Sequence, residues 1–263
     1  MQNNFFLKSF LSLKSIFDQR NNIKAPVDSF GCHIVQENQI DSDEYKLHIL
    51  IKLILSVQSK DENTHKCYLD ICRINNNNIF LNRRLLTDYH LNNGDNLQEN
   101  KRTKILEGKK INKVNFFNKK MQVIKEIFSN KNLSLLLNNP NELIKLKGIG
   151  NKIISLYTQH ALFIFTEIPV DLHVHRILNR IGMVDCKNSN MTDLELRKNK
   201  KQIISEMGNL SAKQNNQNFS FKPENINAVL VGFGQVVCTA KNPKCKECYA
   251  SSTCKFYLNK FSF

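Results

Sequence analysis

Apolar residues recur at three- and four-residue intervals along most of this chain, which is the spacing of one face of a helix. The stretch "DEYKLHILIKLILSVQSKD" opens on acidic residues and continues as an apolar run too long for an ordinary strand. It predicts a mostly buried helix that ends near Ser56 to Lys60. The stretches "VIKEIFSNKNLSLLL", "NELIKLKGIGNKIISLYTQHALFIF", "DLHVHRILNRIGMV" and "ENINAVLVGFGQVV" show the same period. Alternating strand patterns bounded by hairpin signals are not apparent. The pattern therefore predicts an all-α protein with expanded loops.

Two polar stretches interrupt the helical pattern. Residues from about 74 to 110 contain "NNNN" and "NNGDNLQENKRTK" and are expected to be a solvated loop or a partly disordered insertion. A second stretch, "SAKQNNQNFSFKPEN", precedes the last helical pattern. The uncharged run from Ile153 to Thr166 includes Gln159 and His160 and falls short of the roughly 20 apolar residues a bilayer requires, so no membrane partner is expected. The opening "MQNNFFLKSFLSLKSIF" carries two lysines and no acid. It reads as an amphipathic organelle-targeting segment, an ordinary first helix, or a disordered tail.

Charge changes the expected partners. Over 263 residues, 38 Lys and Arg against 23 Asp and Glu leave a net charge of +15. Such an excess favours polyanions, although the abundance of Asn, Lys and Ile also fits A/T-biased coding. Four of the eight cysteines are scattered: Cys32, Cys67, Cys72 and Cys186. The other four, Cys238, Cys245, Cys248 and Cys254, space as C-x6-C-x2-C-x5-C. A disulfide framework belongs to small secreted domains and does not suit this chain. Structural zinc sites commonly pair two short knuckles. One C-x2-C flanked by two longer arms better suits an iron–sulfur cluster, with zinc as the alternative.

The chemistry-bearing stretch is "LKGIGNKIIS", where Gly148 and Gly150 bracket Ile149 in a tight turn before a helix. Glycines there admit backbone angles that side chains forbid, and the helix N-terminus favours an anion such as a backbone phosphate. Lys152 lies in the first turn of that helix, where the dipole disfavours a cation. If partly desolvated it would supply a neutral amine able to attack an electrophilic carbon; otherwise it is a phosphate-binding or exposed lysine. Asp171, in "IPVDLHVHR", stands at a helix start. It is either an N-cap or a carboxylate serving as a base or counter-charge.

Together these motifs resemble the helix-hairpin-helix DNA glycosylases, and specifically the endonuclease III family. "LKGIGNK" is similar to the family's lysine-bearing hairpin, "PVDLHVHR" to its aspartate segment, "ILSVQSKD" to an early helix end, and the terminal cysteines to its [4Fe-4S] loop. "INAVLVGFGQVVC" is similar to the eukaryotic branch. The match runs from about Tyr45 to Lys255. The resemblance implies a two-lobed, all-α helix-hairpin-helix fold with a C-terminal iron–sulfur cluster loop. Residues 1–38 would be an N-terminal segment joining the cluster lobe, 39–165 a six-helix bundle with the hairpin, and 166–263 the cluster lobe with its loop at 238–254.

The resemblance also implies a bifunctional DNA N-glycosylase and AP lyase of base excision repair. Its partner would be double-stranded DNA carrying an oxidised pyrimidine or an abasic site, and it would act as a monomer. Lys152 would be the nucleophile and Asp171 its assistant. Gly148, Ile149 and Gly150 would hold phosphate, and Gln58 would fill the gap left by the flipped base. Phe116 would be a wedge between bases, unless it is core packing. A [4Fe-4S] cluster on Cys238, Cys245, Cys248 and Cys254 would fix a loop presenting Lys241, Lys244 and Lys246 to DNA. The expected location is the nucleus, with the mitochondrion as a second.

Departures from the family pattern are Leu172 where a Thr is usual, Asn115 where a Gly is usual, and Ser59 for a common Thr. Asn115 is expected to tolerate a left-handed backbone. His173 and His175, two apart on a helix, point to different faces and are read as structural rather than as a metal site. The competing readings are a catalytically inactive DNA-binding module with a structural four-cysteine metal site, and a monofunctional glycosylase.

Overall fold

In the computed structural model, residues 2–35, 42–74, 103–106, 109–112, 114–211 and 220–261 are described. The chain divides into two compact units, one made of Met1–Asp28 with Phe165–Phe263 and the other of Ser29–Ile164. The first boundary falls before residue 38 because Cys32 and Val35 already pack against the second unit's core.

The unit Ser29–Ile164 is built around a central helix. It contains α2 (Pro26–Phe30), α3 (Asp43–Ser56), α4 (Asp61–Ile74), α5 (Phe117–Ser129), α6 (Leu133–Leu137), α7 (Pro140–Leu143) and α8 (Asn151–Ala161), α2 straddling the boundary. Ser42 caps α3 by accepting the Tyr45 amide at 3.0 Å, ahead of Asp43 and Glu44 at its positive end. Helix α3 is buried from Tyr45 to Leu55, with Leu47, Ile49, Leu50 and Leu55 fully enclosed, because its apolar residues spread well beyond one face. Its three buried polar side chains all find partners. Lys46 donates to Asn138 Oδ1 at 3.0 Å, His48 Nδ1 pairs with the Tyr68 hydroxyl at 2.7 Å, and Lys52 donates to the Ile34 carbonyl.

Within the all-α fold, the polar insertion expected as a loop carries one short hairpin. Thr103–Leu106 (β1) and Lys109–Asn112 (β2) pair antiparallel, Thr103 opposite Asn112 and Leu106 opposite Lys109. Strands of four residues rich in Lys are too short for alternation to register in the sequence. The rest of the insertion, 75–102, lies outside the described residues, as does 212–219 of the second polar stretch.

The other unit joins the two ends of the chain. Helix α1 (Gln2–Arg20) buries Phe10, Leu13, Ile16 and Phe17 in a core shared with α9 (Leu172–Ile181) and α12 (Ile226–Val236). The N-terminal segment is thus a structural helix from Phe10 onward. Phe17 meets Phe221 edge-on, with ring centroids 4.9 Å apart. Arg20 is fully enclosed and donates to the Ile23 carbonyl and the Asp28 carboxylate. A Cβ on Gly232 would lie 2.3 Å from its guanidinium, which explains one glycine of "VGFGQ". Helices α10 (Ser189–Lys198) and α11 (Lys200–Ser211) and the short α13 (Lys255–Phe261) complete the unit. No helix among the described residues is long and apolar enough to cross a membrane.

Candidate active site

The "LKGIGNK" hairpin is a turn between α7 and α8. Gly148 has φ 98°, a backbone that L side chains rarely adopt, and an added Cβ would lie 3.1 Å from Val123. Ile149 is buried and anchors the turn, its amide donating to the Leu146 carbonyl at 3.1 Å. Gly150 is exposed and extended, caps α8 without any side chain, and has open space where a Cβ would stand. Gly150 thus brings no side-chain cap to the N-terminus of α8, and a helix N-terminus of this kind suits a phosphate. Lys152 is the second residue of α8. It is exposed, so the partial desolvation considered from the sequence is not found.

Gln58 and Phe116 are brought together in the same unit. Both are exposed and both have left-handed backbones, with φ 51° and 56°. Phe116 is 57% exposed, which rules out core packing. Between them, Asn115 Nδ2 donates to the Gln58 carbonyl at 2.5 Å. The left-handed residue is Phe116 and not Asn115, correcting the role expected of that Asn. Its side chain ties the two tips instead. Lys120, buried one turn into α5, donates to the carbonyls of Leu55 at 2.7 Å and Val57 at 2.6 Å and to Ser59 Oγ at 3.1 Å. Burial lowers its pKa to about 8, yet the ammonium closes the C-terminus of α3 where a cation is favoured. Ser59 thus retains the hydroxyl that a Thr would offer at this position.

In the other unit, Asp171 is the N-cap of α9. Its Oδ1 accepts the amides of His173 at 2.8 Å and Val174 at 2.9 Å. Leu172 follows and is 70% exposed, so the missing Thr hydroxyl is replaced by an apolar surface group. His173 and His175 turn to different partners, Arg176 at 3.1 Å and Thr192 at 2.8 Å, consistent with their being structural.

The four terminal cysteines converge. Cys238 follows α12, Cys245 and Cys248 bracket a single 3-10 turn (Cys245–Glu247), and Cys254 precedes α13. All four line one small pocket, with Arg180, Val237, Pro243, Phe256 and Tyr257 among its walls. Burial, and then the neighbouring thiolates, push the Cys248 thiol up to about 11. Four thiols lining one pocket on a C-x2-C flanked by two longer arms fit a cubic iron–sulfur cluster, with zinc as the alternative occupant. Lys241, Lys244 and Lys246 are all exposed on this loop.

The chain matches curated proteins over nearly its whole length. It is 33% identical over 237 residues to the Endonuclease III homolog of Encephalitozoon cuniculi, covering 90% of this chain and 89% of that one. This chain belongs to the endonuclease III family. More distant family members include Endonuclease III-like protein 1 of Gallus gallus, 29% identical over 249 residues and covering 92% of this chain and 75% of that one. Endonuclease III of Thermotoga maritima is 26% identical over 228 residues, covering 85% and 88%. Among solved structures, a trapped endonuclease III–DNA covalent intermediate superposes with TM-score 0.59 at 18% identity, covering 94% of this chain and 96% of that one. A thermostable thymine-DNA glycosylase gives 0.60 at 16% identity, covering 96% and 97%. These two likenesses establish the helix-hairpin-helix glycosylase fold. No family model matches the chain.

Within this family fold, the cysteine loop is held by residues that sequence reasoning did not single out. Arg176 donates through Nη2 to the carbonyls of Gly234 at 3.1 Å and Cys238 at 3.0 Å. Arg180 donates to Cys238 Sγ at 3.2 Å and to the carbonyls of Thr239 at 2.7 Å and Ala240 at 2.9 Å. From the chain's other end, Gln19 donates to the Glu247 carbonyl at 2.7 Å and accepts the Tyr249 amide at 2.9 Å. The available signal was the i, i+4 pair of arginines in "HRILNR", which places both on one face of α9.

Proposed function

We propose that this chain is a bifunctional DNA N-glycosylase and AP lyase that removes oxidised pyrimidines from double-stranded DNA in base excision repair, acting as a monomer. The observation that carries this reading is an exposed amine, Lys152, in the uncapped first turn of the helix that follows the Gly148-Ile149-Gly150 turn, in a member of this family. In the proposed reaction the Lys152 amine gives up a proton to solvent and its nitrogen lone pair attacks C1′ of the damaged nucleotide. The N-glycosidic bond breaks with its electron pair passing to the departing base, which is protonated with the assistance of Asp171. The resulting C1′–N bond becomes a protonated imine as the sugar ring opens. Loss of a C2′ proton then sends an electron pair into a C2′–C3′ double bond, and the 3′-phosphate leaves with the C3′–O bond pair. Water finally releases Lys152.

Gly148, Ile149 and Gly150 hold a backbone phosphate in this scheme, while Gln58 and Phe116 enter the duplex where the target nucleotide is extruded. Cys238, Cys245, Cys248 and Cys254 hold a [4Fe-4S] cluster, whose iron–thiolate bonds fix the loop that presents Lys241, Lys244 and Lys246 to DNA. Iron and sulfide content, with a brown chromophore, tests that assignment; colourless zinc-containing protein overturns it. Action in the nucleus, with the mitochondrion as a second location, is part of the same proposal and is checked by cell fractionation.

The activity is tested by single-turnover reaction with a duplex carrying one thymine glycol. Strand scission 3′ to the lesion without alkali, keeping pace with base release, is the expected result. Scission that requires hot alkali would make the chain monofunctional. No base release from bound duplex would make it a binding module.

A further inference from the structure

Three metal-ligating side chains meet at a place the proposed reaction does not use. Cys32 and His33 lie in the turn after α2, and His160 lies in the last turn of α8, all in the unit Ser29–Ile164. The Cys32 sulfur and one ring nitrogen from each histidine lie within 4.8 Å of one another. The two imidazoles stack, with centroids 5.4 Å apart and planes 28° from parallel. The end of α8 is itself fixed, because the Tyr45 hydroxyl donates to the His160 carbonyl at 3.2 Å.

The donor chemistry selects the metal. One thiol and two imidazoles offer no oxygen ligand, which disfavours magnesium and calcium. Zinc accepts nitrogen and sulfur donors together, and its open sites have three protein ligands with water in the fourth position. One sulfur and two nitrogens around a tetrahedral zinc stand about 3.3 to 3.5 Å apart, so a group within 4.8 Å needs to contract by at most about 1.5 Å. We propose that Cys32, His33 and His160 bind a zinc ion and tie the turn 31–35 to the end of α8.

Binding displaces the Cys32 thiol proton to solvent and forms a zinc–thiolate bond, with no change of oxidation state. Lys52 and Lys152 act on Cys32 in favour of the thiolate, although burial outweighs them in the metal-free chain. The bound ion and thiolate together leave one net positive charge within electrostatic reach of Lys152. The site stands independently of the lyase reading, since its ligands neither attack nor protonate the substrate.

The test uses the full-length, cluster-loaded chain, kept reduced and anaerobic, equilibrated with zinc and then washed. Zinc and iron are quantified together, and zinc K-edge absorption reports the ligand shell. The expected result is one zinc per chain with one sulfur and two nitrogen ligands. Cys32→Ser and, separately, His160→Gln should weaken zinc binding by at least the ~100-fold that loss of an outer-shell partner alone can cost. Iron content and helical circular dichroism should stay unchanged in both variants. If one variant fails to fold, the other still decides. Absence of retained zinc, an all-sulfur shell that places the metal on the terminal cysteines, or undiminished binding in a folded variant would each overturn the proposal.

Discussion

Asp171 does two jobs in this account, and two substitutions separate them. As an N-cap it satisfies two amides of α9, at 2.8 and 2.9 Å. Losing such a cap costs about 0.5 to 2 kcal/mol. A carboxylate at the positive end of the helix adds about 0.3 to 1 kcal/mol. At about 2 to 4 °C per kcal/mol for a chain of this size, Asp171→Ala should lower Tm by about 2 to 12 °C. Asp171→Asn keeps the accepting oxygen, and Asn caps as well as Asp, so only the charge contribution is lost and Tm should fall by about 1 to 4 °C. If Asp171 also serves the chemistry, both variants should slow base release by about 10²- to 10⁴-fold, because neither retains a carboxylate. That range corresponds to about 2.7 to 5.4 kcal/mol in the barrier. The assay is single-turnover base release from a thymine glycol duplex at saturating enzyme, alongside a thermal melt of each variant. A folded Asp171→Asn protein with wild-type base release would refute the catalytic reasoning and leave Asp171 as a cap alone.

Other features make separate predictions. Gly148→Ala, forced into φ 98° and against Val123, should destabilise the chain by about 1 to 2 kcal/mol in denaturant titration, whereas Gly150→Ala meets open space and should leave stability unchanged while weakening duplex binding. Equal stability losses at the two positions would contradict the hairpin geometry. Lys120 loses its proton at about 8 in the folded chain but near 10.5 when unfolded. Between those values the unfolded chain holds more protons, so the stability of the wild type relative to Lys120→Met should rise with pH across that window and be flat below it; a falling difference would contradict the burial. Joint replacement of Lys241, Lys244 and Lys246 by Glu should reduce the slope of log affinity against log salt by about 2 to 3 without changing iron content, and an unchanged slope would remove this loop from the DNA surface.

What the sequence makes legible follows from how local each feature is. The run from Tyr45 to Leu55 is apolar except for Lys46, His48 and Lys52 and is too long for an ordinary strand, so its helical state and most of its burial can be read directly. Asp171 and the Gly148-Ile149-Gly150 turn announce themselves because caps and turns depend on one or two residues. The cysteine spacing is short enough to imply convergence. Features that depend on distant partners leave weaker marks. Gly232 looks like an ordinary helical glycine until Arg20, from the far end of the chain, occupies its missing Cβ. Phe116 is apolar, and composition alone cannot distinguish a core residue from an exposed tip. Asn115 stands where the family pattern has a glycine, yet it holds the Gln58 carbonyl while its neighbour takes the left-handed backbone. Cys32, His33 and His160 carry no motif because two helices and a turn must fold before they meet.

The central claim is that the Lys152 amine forms the covalent bond to DNA. Its most direct test is borohydride reduction of the full-length chain reacting with a thymine glycol duplex, followed by peptide mapping of the adduct, with Lys152→Ala in parallel. The expected result is a stable protein–DNA adduct on Lys152 in the wild type and none in the variant, which should still bind the duplex. An adduct mapped to another amine, or base release with no adduct in the wild type, would contradict it.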